Sequence, residues 1–241
     1  MSGISGPYIV TDGLILYVDP GNPKCYISGS TTATDLIGQL TLTLNNGFEP
    51  PIQSYPNSWG FDGTDDYINV WNTGITSLTK ASIVVWAAPE SDNSNYEAIF
   101  SGRAGPADDD YVTGITIDQG DIEYVPRSSF SYLNCEGKGF TSAVDLLTSD
   151  IAFGTMTHLA ITIENGTDNV KLYVNGVAEG SRNGASPDMN FDYMQIGARY
   201  YGGGVKGYWD GKIGPLSIYN RVLSQEEINQ NYNSQKSRFG L

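Results

Sequence analysis

The sequence predicts an all-β protein: a two-sheet antiparallel sandwich with one short C-terminal helix. Three observations carry this. In "THLAITIENGTDNVKLYVNGVAEG" (157–180), Leu159, Ile161 and Ile163 fall on one face of a strand, and Val170, Leu172 and Val174 on one face of its partner. That period of two suits a sheet and not a helix. Turn signals recur, notably Asp-Gly at 62–63 and Asn-Gly at 175–176. Only residues 224–233 carry a full set of helix signals.

In chain order, "GLILYVD" (13–19) is apolar on both faces through Leu14, Ile15, Leu16 and Val18. The stretch to residue 57 is rich in Pro, Gly, Ser and Thr, and only "LTLTLN" (40–45) alternates there. "WGFDGTDDYINV" (59–70) predicts two short strands around the Asp-Gly turn. "ASIVVWAAP" (81–89) is β-branched and aromatic and stops at Pro89. "YEAIFS" (96–101) and "YVTGITI" (111–117) follow, separated by the loop "GRAGPADDD". The 157–180 meander should have one dry and one polar face, as in a sandwich layer. "FDYMQIGA" (191–198) and "KIGPLSIYN" (212–220) complete the set. Pro215 cannot donate to a ladder, so its strand lies at an edge or carries a bulge. With no linker or repeat, residues 1–241 read as one domain with a flexible head at 1–7 and a C-terminal tail at 234–241.

The helix begins at Ser224, with Glu227 three residues on to complete a capping box. Leu223 and Ile228 are placed for a hydrophobic staple. Glu226 and Glu227 face the positive end of the helix dipole. So short a helix is not stable alone in water. Ile228 and Tyr232 must dock, either over an end of the sandwich or on a partner.

The net charge is −14, from 27 acidic and 13 basic residues. That balance excludes a general affinity for nucleic acid phosphates or anionic membranes. It leaves carboxylates for a hard cation such as calcium. No run approaches the roughly 20 apolar residues of a membrane span, and "MSGISGPYIVTDG" shows no secretory signal. Cys25 and Cys135 fit no metal spacing; they read as two buried thiols or as one disulfide.

Six pieces stand in an order that resembles the concanavalin A-like jelly-roll domains of the laminin G-like type. They are "GLILYVDPGN", "FDGTDDYINV", "ASIVVWAAP", "HLAITIENGTDNVKLYVNGVAEG", "MQIGA" and "WDGKIGPLSIYNRVLSQEEINQNYN". The resemblance implies two packed antiparallel sheets, with the last strand near the first and a short helix after it. The C-terminal "NYNSQKSRFGL" is similar to laminin G-like virion structural proteins of tailed bacteriophages. This implies a protein folded in a host cytoplasm and assembled on a virion with other virion proteins.

Chemistry is sparse. A retaining glycosidase needs two carboxylates about 5 Å apart, and a Glu-x-Asp-x-(x)-Glu strand is missing. "DQGDIEY", with Asp118, Asp121 and Glu123, comes nearest and reads as a hairpin. His158, the only histidine, would have to serve any Ser-His-Asp or Cys-His arrangement, and reads as structural. Many relatives bind calcium; carboxylates for it here are Asp19, Asp62, Asp65, Asp66, Asp108, Asp109, Asp110 and Asp210. Gly214 and Pro215 stand where relatives carry Asp, and Asp-rich turns also form without metal. "GARYYGGGVKGYWDG" (197–211) presents Tyr200, Tyr201, Tyr208 and Trp209 in a Gly-rich loop. Its rings suit a glycan, a protein interface or plain packing over the loop.

The expectation is therefore a non-enzymatic virion structural protein without a resident cofactor. It would decorate a capsid or form part of a tail or fibre, as a homo-oligomer or an assembly on a particle. Edge strands, the aromatic loop and the tail would make its contacts. The alternative is a lectin-like adhesin for cell-surface glycans, with or without calcium. A glycan-cleaving enzyme is a third reading, opposed by the missing carboxylate pair.

Overall fold

The computed structural model describes residues 8–45, 56–91, 96–119, 128–140, 145–166, 169–183 and 186–241. The expected head at 1–7 lies outside them. In chain order the strands begin with β1 (Leu14–Val18), β2 (Thr32–Thr34), β3 (Thr41–Asn45), β4 (Trp59–Asp62), β5 (Tyr67–Trp71) and β6 (Ala81–Pro89). They continue with β7 (Ala98–Arg103), β8 (Ile115–Asp118), β9 (Ser129–Phe130), β10 (Asn134–Gly137), β11 (Ile151–Ala152) and β12 (Thr157–Ile163). Then come β13 (Val170–Val174), β14 (Val177–Arg182), β15 (Tyr193–Ile196), β16 (Arg199–Tyr201), β17 (Gly204–Lys206) and β18 (Asp210–Tyr219). The helices are α1 (Asp110–Thr113) and α2 (Gln225–Gln235).

Two seven-stranded antiparallel sheets form the sandwich. The first runs β1-β18-β6-β12-β13-β14, with β4 beside the N-terminal half of β18. The second runs β10-β8-β7-β15-β5-β3-β2. Alternation explains the packing. In the first sheet Ile83, Val85, Leu159, Ile161, Leu172, Leu216 and Ile218 point inward. Leu42, Leu44, Ile68, Val70, Met194, Ile196, Phe100 and Ile117 answer them from the second. The two-sheet antiparallel jelly roll with one short C-terminal helix is the predicted architecture.

Local readings diverge in instructive ways. "WGFDGTDDYINV" is no hairpin: β4 pairs with β18 in the first sheet, and β5 pairs with β3 and β15 in the second. The Asp-Gly turn carries the chain from one layer to the other. Residues 111–113, read as the start of a strand, belong instead with Asp110 to the helical turn α1. Pro215 lies within β18, an interior strand, and its β18–β6 pairing slips between Ile213 and Leu216. The bulge reading is the right one, because it spares the missing donor. The Asn175-Gly176 turn is as read, with both residues at positive φ (51° and 83°) and Val174 paired to Val177.

The dry/polar division of the meander fails in β12, whose seven residues are all buried. Its outer face, with His158 and Ala160, lies beneath α2. Val84, Ala160, Tyr173, Tyr219, Leu223 and Ile228 form one cluster there. The helix therefore covers the sheet face. Its capping box and the buried Leu223 and Ile228 appear as expected. Ser224→Ala should destabilise the domain by about 1 kcal/mol. Urea unfolding would show this, and an unchanged midpoint would deny the cap that role.

Residues 234–241, expected as a tail, are not loose. Ser234 and Gln235 continue α2, and Lys236–Phe239 form a 3-10 turn. Phe239 packs on Trp86 with ring centroids 4.6 Å apart. Arg238 grips Asp19 with two hydrogen bonds of 2.6 and 2.8 Å. Trp86 donates to Gln235 Oε1 at 2.8 Å. The aromatic and basic side chains of this segment satisfy themselves on their own domain. Cys25 and Cys135 are free and buried, and burial pushes the Cys25 thiol up to about 11.

Candidate functional site

The outer face of the second sheet gathers most of the chemistry. Thr43, Asn69, Gln195, Ser101, Thr116 and Glu136 lie in register across six strands, a polar row opposite the apolar core row. Gln195 donates to Asn69 Oδ1 at 2.9 Å and accepts from Ser101 and Arg103. One pleat along, Trp71, Tyr193 and Arg103 form a second row.

The β16–β17 hairpin folds back over this face. Its turn is Gly202-Gly203, both at positive φ (55° and 78°), a conformation glycine adopts without strain. Arg199 at its base is 2% exposed. Its guanidinium is shared among three carboxylates: Asp110 at 2.9 and 3.2 Å, Glu136 at 2.9 Å, and Asp118. Burial works to lower the Arg199 value, but Asp110 and Asp118 outweigh it and hold the group above its ordinary range. Asp110 also accepts the N–H groups of Tyr111 (2.7 Å) and Tyr200 (3.1 Å), tying α1 to the hairpin.

Above Arg199 a cavity of about 280 Å³ is lined by Tyr96, Tyr111, Glu136, Arg199 and Tyr201. The Arg199 guanidinium lies 4.9 Å from the Tyr201 ring centroid and 5.3 Å from that of Tyr96. Tyr96 meets Tyr201 edge-on at 5.7 Å. Lys206 lies over the Tyr201 ring at 4.7 Å. The site thus offers tyrosine walls, one acidic acceptor and a guanidinium floor that is already paired.

Tyr200, Tyr201, Tyr208 and Trp209 part company. Tyr200 lies 4.2 Å above the Arg103 guanidinium, and Tyr201 walls the cavity. Tyr208 packs near Tyr67 at 6.1 Å and donates to Val205 O at 3.1 Å. Trp209 is a correction: at 1% exposure it is core, edge-on to Phe130, and no contact residue. It shares the inward parity of Ile213 in the adjoining strand, a signal legible in "WDGKIGPL". Tyr96, Tyr111, Tyr193, Trp71, Arg103 and Arg199 were not singled out from the sequence. The outward parity of Tyr67, Asn69 and Trp71 against inward Ile68 and Val70 could have found one of them.

Of the expected calcium carboxylates, Asp62, Asp65 and Asp66 come within 4.8 Å of one another. Asp62 and Asp210 face each other across β4 and β18. With Asp66 and Glu90 these two line an acidic cavity of about 350 Å³. The donors are of calcium's type, yet Asp62 Oδ1 and Asp66 Oδ2 already accept turn N–H groups at 2.8 and 3.2 Å. Asp19 and Asp110 are bound to arginines instead, and Asp109 precedes α1. His158 is fully buried, so a substrate cannot reach it. Asp118 is committed to Arg199 and Asn134; Asp121 and Glu123 lie outside the described residues.

A family model, Laminin_G_3, described as the concanavalin A-like lectin/glucanases superfamily, matches residues 62–229. No curated protein matches the sequence. Among solved structures, domain 4 of the arabinanase AbnA from Geobacillus stearothermophilus, in complex with arabinotriose, is similar. It is 19% identical, with 91% of this chain and 98% of that one covered and a TM-score of 0.62. Trypanosoma rangeli sialidase in complex with sialic acid is 15% identical, with 98% and 36% covered and a TM-score of 0.64. The binding domain of Paraclostridial Mosquitocidal Protein 1 is 15% identical, with 92% and 52% covered and a TM-score of 0.60. At these identities the likeness is one of fold.

Proposed function

The chain belongs to the concanavalin A-like lectin/glucanases superfamily, and from that premise we propose that it is a non-enzymatic binding domain that takes a saccharide in its tyrosine-walled cavity. The observation that carries this is the cavity itself: Tyr96, Tyr111 and Tyr201 around Glu136 and Arg199. Such rings stack on sugar faces, while a carboxylate accepts from hydroxyls. The non-enzymatic part is supported by the fate of the carboxylates. Asp110, Asp118 and Glu136 are all engaged by Arg199, which leaves none of them poised as acid or nucleophile. Domain 4 of the arabinanase, similar in fold over nearly its whole length, was solved with arabinotriose.

A virion setting is a second proposal, for a capsid decoration or a tail or fibre part. Its support is the likeness of the C-terminal residues to phage laminin G-like proteins. The domain would then display the cavity as an adhesin.

A glycan array, run with calcium and again with chelator, tests the reading. Binding to a defined glycan is expected. Tyr201→Ala should weaken it about tenfold, the loss of about 1.4 kcal/mol, with unchanged unfolding. No binding in either condition would refute the saccharide reading; loss with chelator would assign the acidic cavity to a cation.

A further inference from the structure

Resting on that saccharide reading, we propose that the ligand is an extended, uncharged chain, and that Trp71 and Tyr193 form its second subsite. Three of the four tryptophans are sealed in the interior: Trp59 and Trp86 at 0% exposure and Trp209 at 1%. Trp71 is 53% exposed. It ends β5 and points away from the core, so the sandwich gains little from its indole. An isolated exposed ring would mean nothing, but Trp71 is not isolated. It lies in register with Tyr193 and Arg103, one strand apart at each step. The Trp71 and Tyr193 centroids are 6.4 Å apart, Arg103 lies 5.8 Å from Tyr193, and Tyr200 covers Arg103 at 4.2 Å. The next residue, Tyr201, walls the cavity. Flat groups thus run from Trp71 to the cavity with a strand spacing of about 4.8 Å, close to the length of one sugar unit. A side chain able to bond hydroxyls flanks the row: the exposed Asn72, which accepts from Tyr193 at 3.1 Å.

Charge selects among chains. Arg199 is spent on three carboxylates, and Arg103 is held by Gln195 beneath Tyr200. Lys206, at the rim, faces Tyr201. Asp110, Asp118 and Glu136 offset these three cations one for one, on a protein whose net charge is −14. A uronic or sialic carboxylate would find Arg199 already paired and Arg103 buried beneath Tyr200, and would meet Glu136. A neutral chain meets neither problem.

The test is calorimetric titration with ladders of one to six units from glucan, xylan, arabinan and mannan, and with oligogalacturonides as the charged counterpart. With a neutral ladder that binds, affinity should rise at least tenfold over about the first three units, the span of the aromatic row at the sheet spacing. In Trp71→Ala that rise should vanish while the affinity for the shortest ligand stays the same. Oligogalacturonides should bind at least tenfold more weakly. Length-independent affinity, an unaffected Trp71→Ala, or a preference for the acidic ladder would each overturn this inference while leaving the saccharide reading intact. Crosslinking of position 71 to a second copy in place of sugar binding would also overturn it. Silence of every ladder would sink both. Trp71 is exposed, so the variant should unfold at the parent's denaturant midpoint, which separates a binding loss from a folding loss.

Discussion

Arg199→Ala is expected to destabilise the domain by about 3–5 kcal/mol at neutral pH, the usual cost of stripping one partner from a buried ion cluster. The cause lies in what remains. Asp110 and Asp118 are wholly buried, and without the guanidinium two carboxylates would face each other out of water. They would answer by binding protons. Burial already pushes the Asp110 carboxyl upward against the pull of Arg199, and removing the arginine takes away the strongest opposing pull and leaves only the N–H groups of Tyr111 and Tyr200 against burial. A carboxyl raised in the folded state loses stability as pH rises through that raised value. The deficit of the variant should therefore be largest at pH 7 and shrink toward pH 5. Urea unfolding of both proteins at the two pH values measures it. A deficit below 1 kcal/mol, or one that grows on acidification, would refute the keystone role. Arg199→Lys should fall between the two, since one ammonium cannot span three carboxylates. Because Tyr200 and Tyr201 hang from the same residue, saccharide binding should fail with it.

The second large effect is an acid sensitivity traced to one side chain. His158 faces Trp86 at 5.1 Å and Tyr232 at 5.7 Å, with Phe239 also packed on Trp86. Neither ring nitrogen has a hydrogen-bond partner among the described residues. Burial lowers its value from 6.5 to about 3. The unfolded chain takes up the proton near pH 6.5 and the folded one does not. The stability tied to the neutral ring is thus complete above pH 6.5 and drains away as pH falls toward 3. The loss is about 2 kcal/mol at pH 5, at 1.36 kcal/mol per pH unit. His158→Phe keeps a ring among aromatic neighbours and removes two stranded nitrogens. It should match or exceed the parent by up to about 1 kcal/mol at pH 7. Its lead should grow by about 2 kcal/mol at pH 5. Parallel pH profiles for the two proteins would rule this account out, since other titrating groups are common to both.

Much of the fold was legible because β-sandwich cores write themselves in steps of two. "ASIVVWAAP" became β6 residue for residue, and the 157–180 meander gave β12 to β14. What pairs with what was less visible. Nothing local in "WGFDGTDDYINV" distinguishes a hairpin from a crossing between layers, since both need the same turn. The outer face of β12, with His158, Ala160 and Thr162, was read as facing solvent because the helix that covers it arrives some sixty residues later. The site was hardest. Arg199 draws its carboxylates from α1, β8 and β10, and no spacing in the chain announces that meeting. The tyrosines of "GARYYGGGVKGYWDG" drew notice, but parity, not composition, separates Tyr201 at the cavity from Trp209 in the core.

Both ends of the described chain are pinned to one side of the molecule. Val10 donates to Asn231 of α2 at 2.8 Å, and Arg238 and Phe239 are held at Asp19 and Trp86. That side is the outer face of the first sheet, and the aromatic row and cavity occupy the outer face of the second. The sandwich therefore has a mounting side and a presenting side. A tether joined at either terminus, whether to a bead, a display scaffold or a larger assembly, would leave Trp71 and Tyr201 pointing away from the support. Many copies fixed this way would face the same direction, and weak single-site contacts would sum into avidity for a repeating polymer.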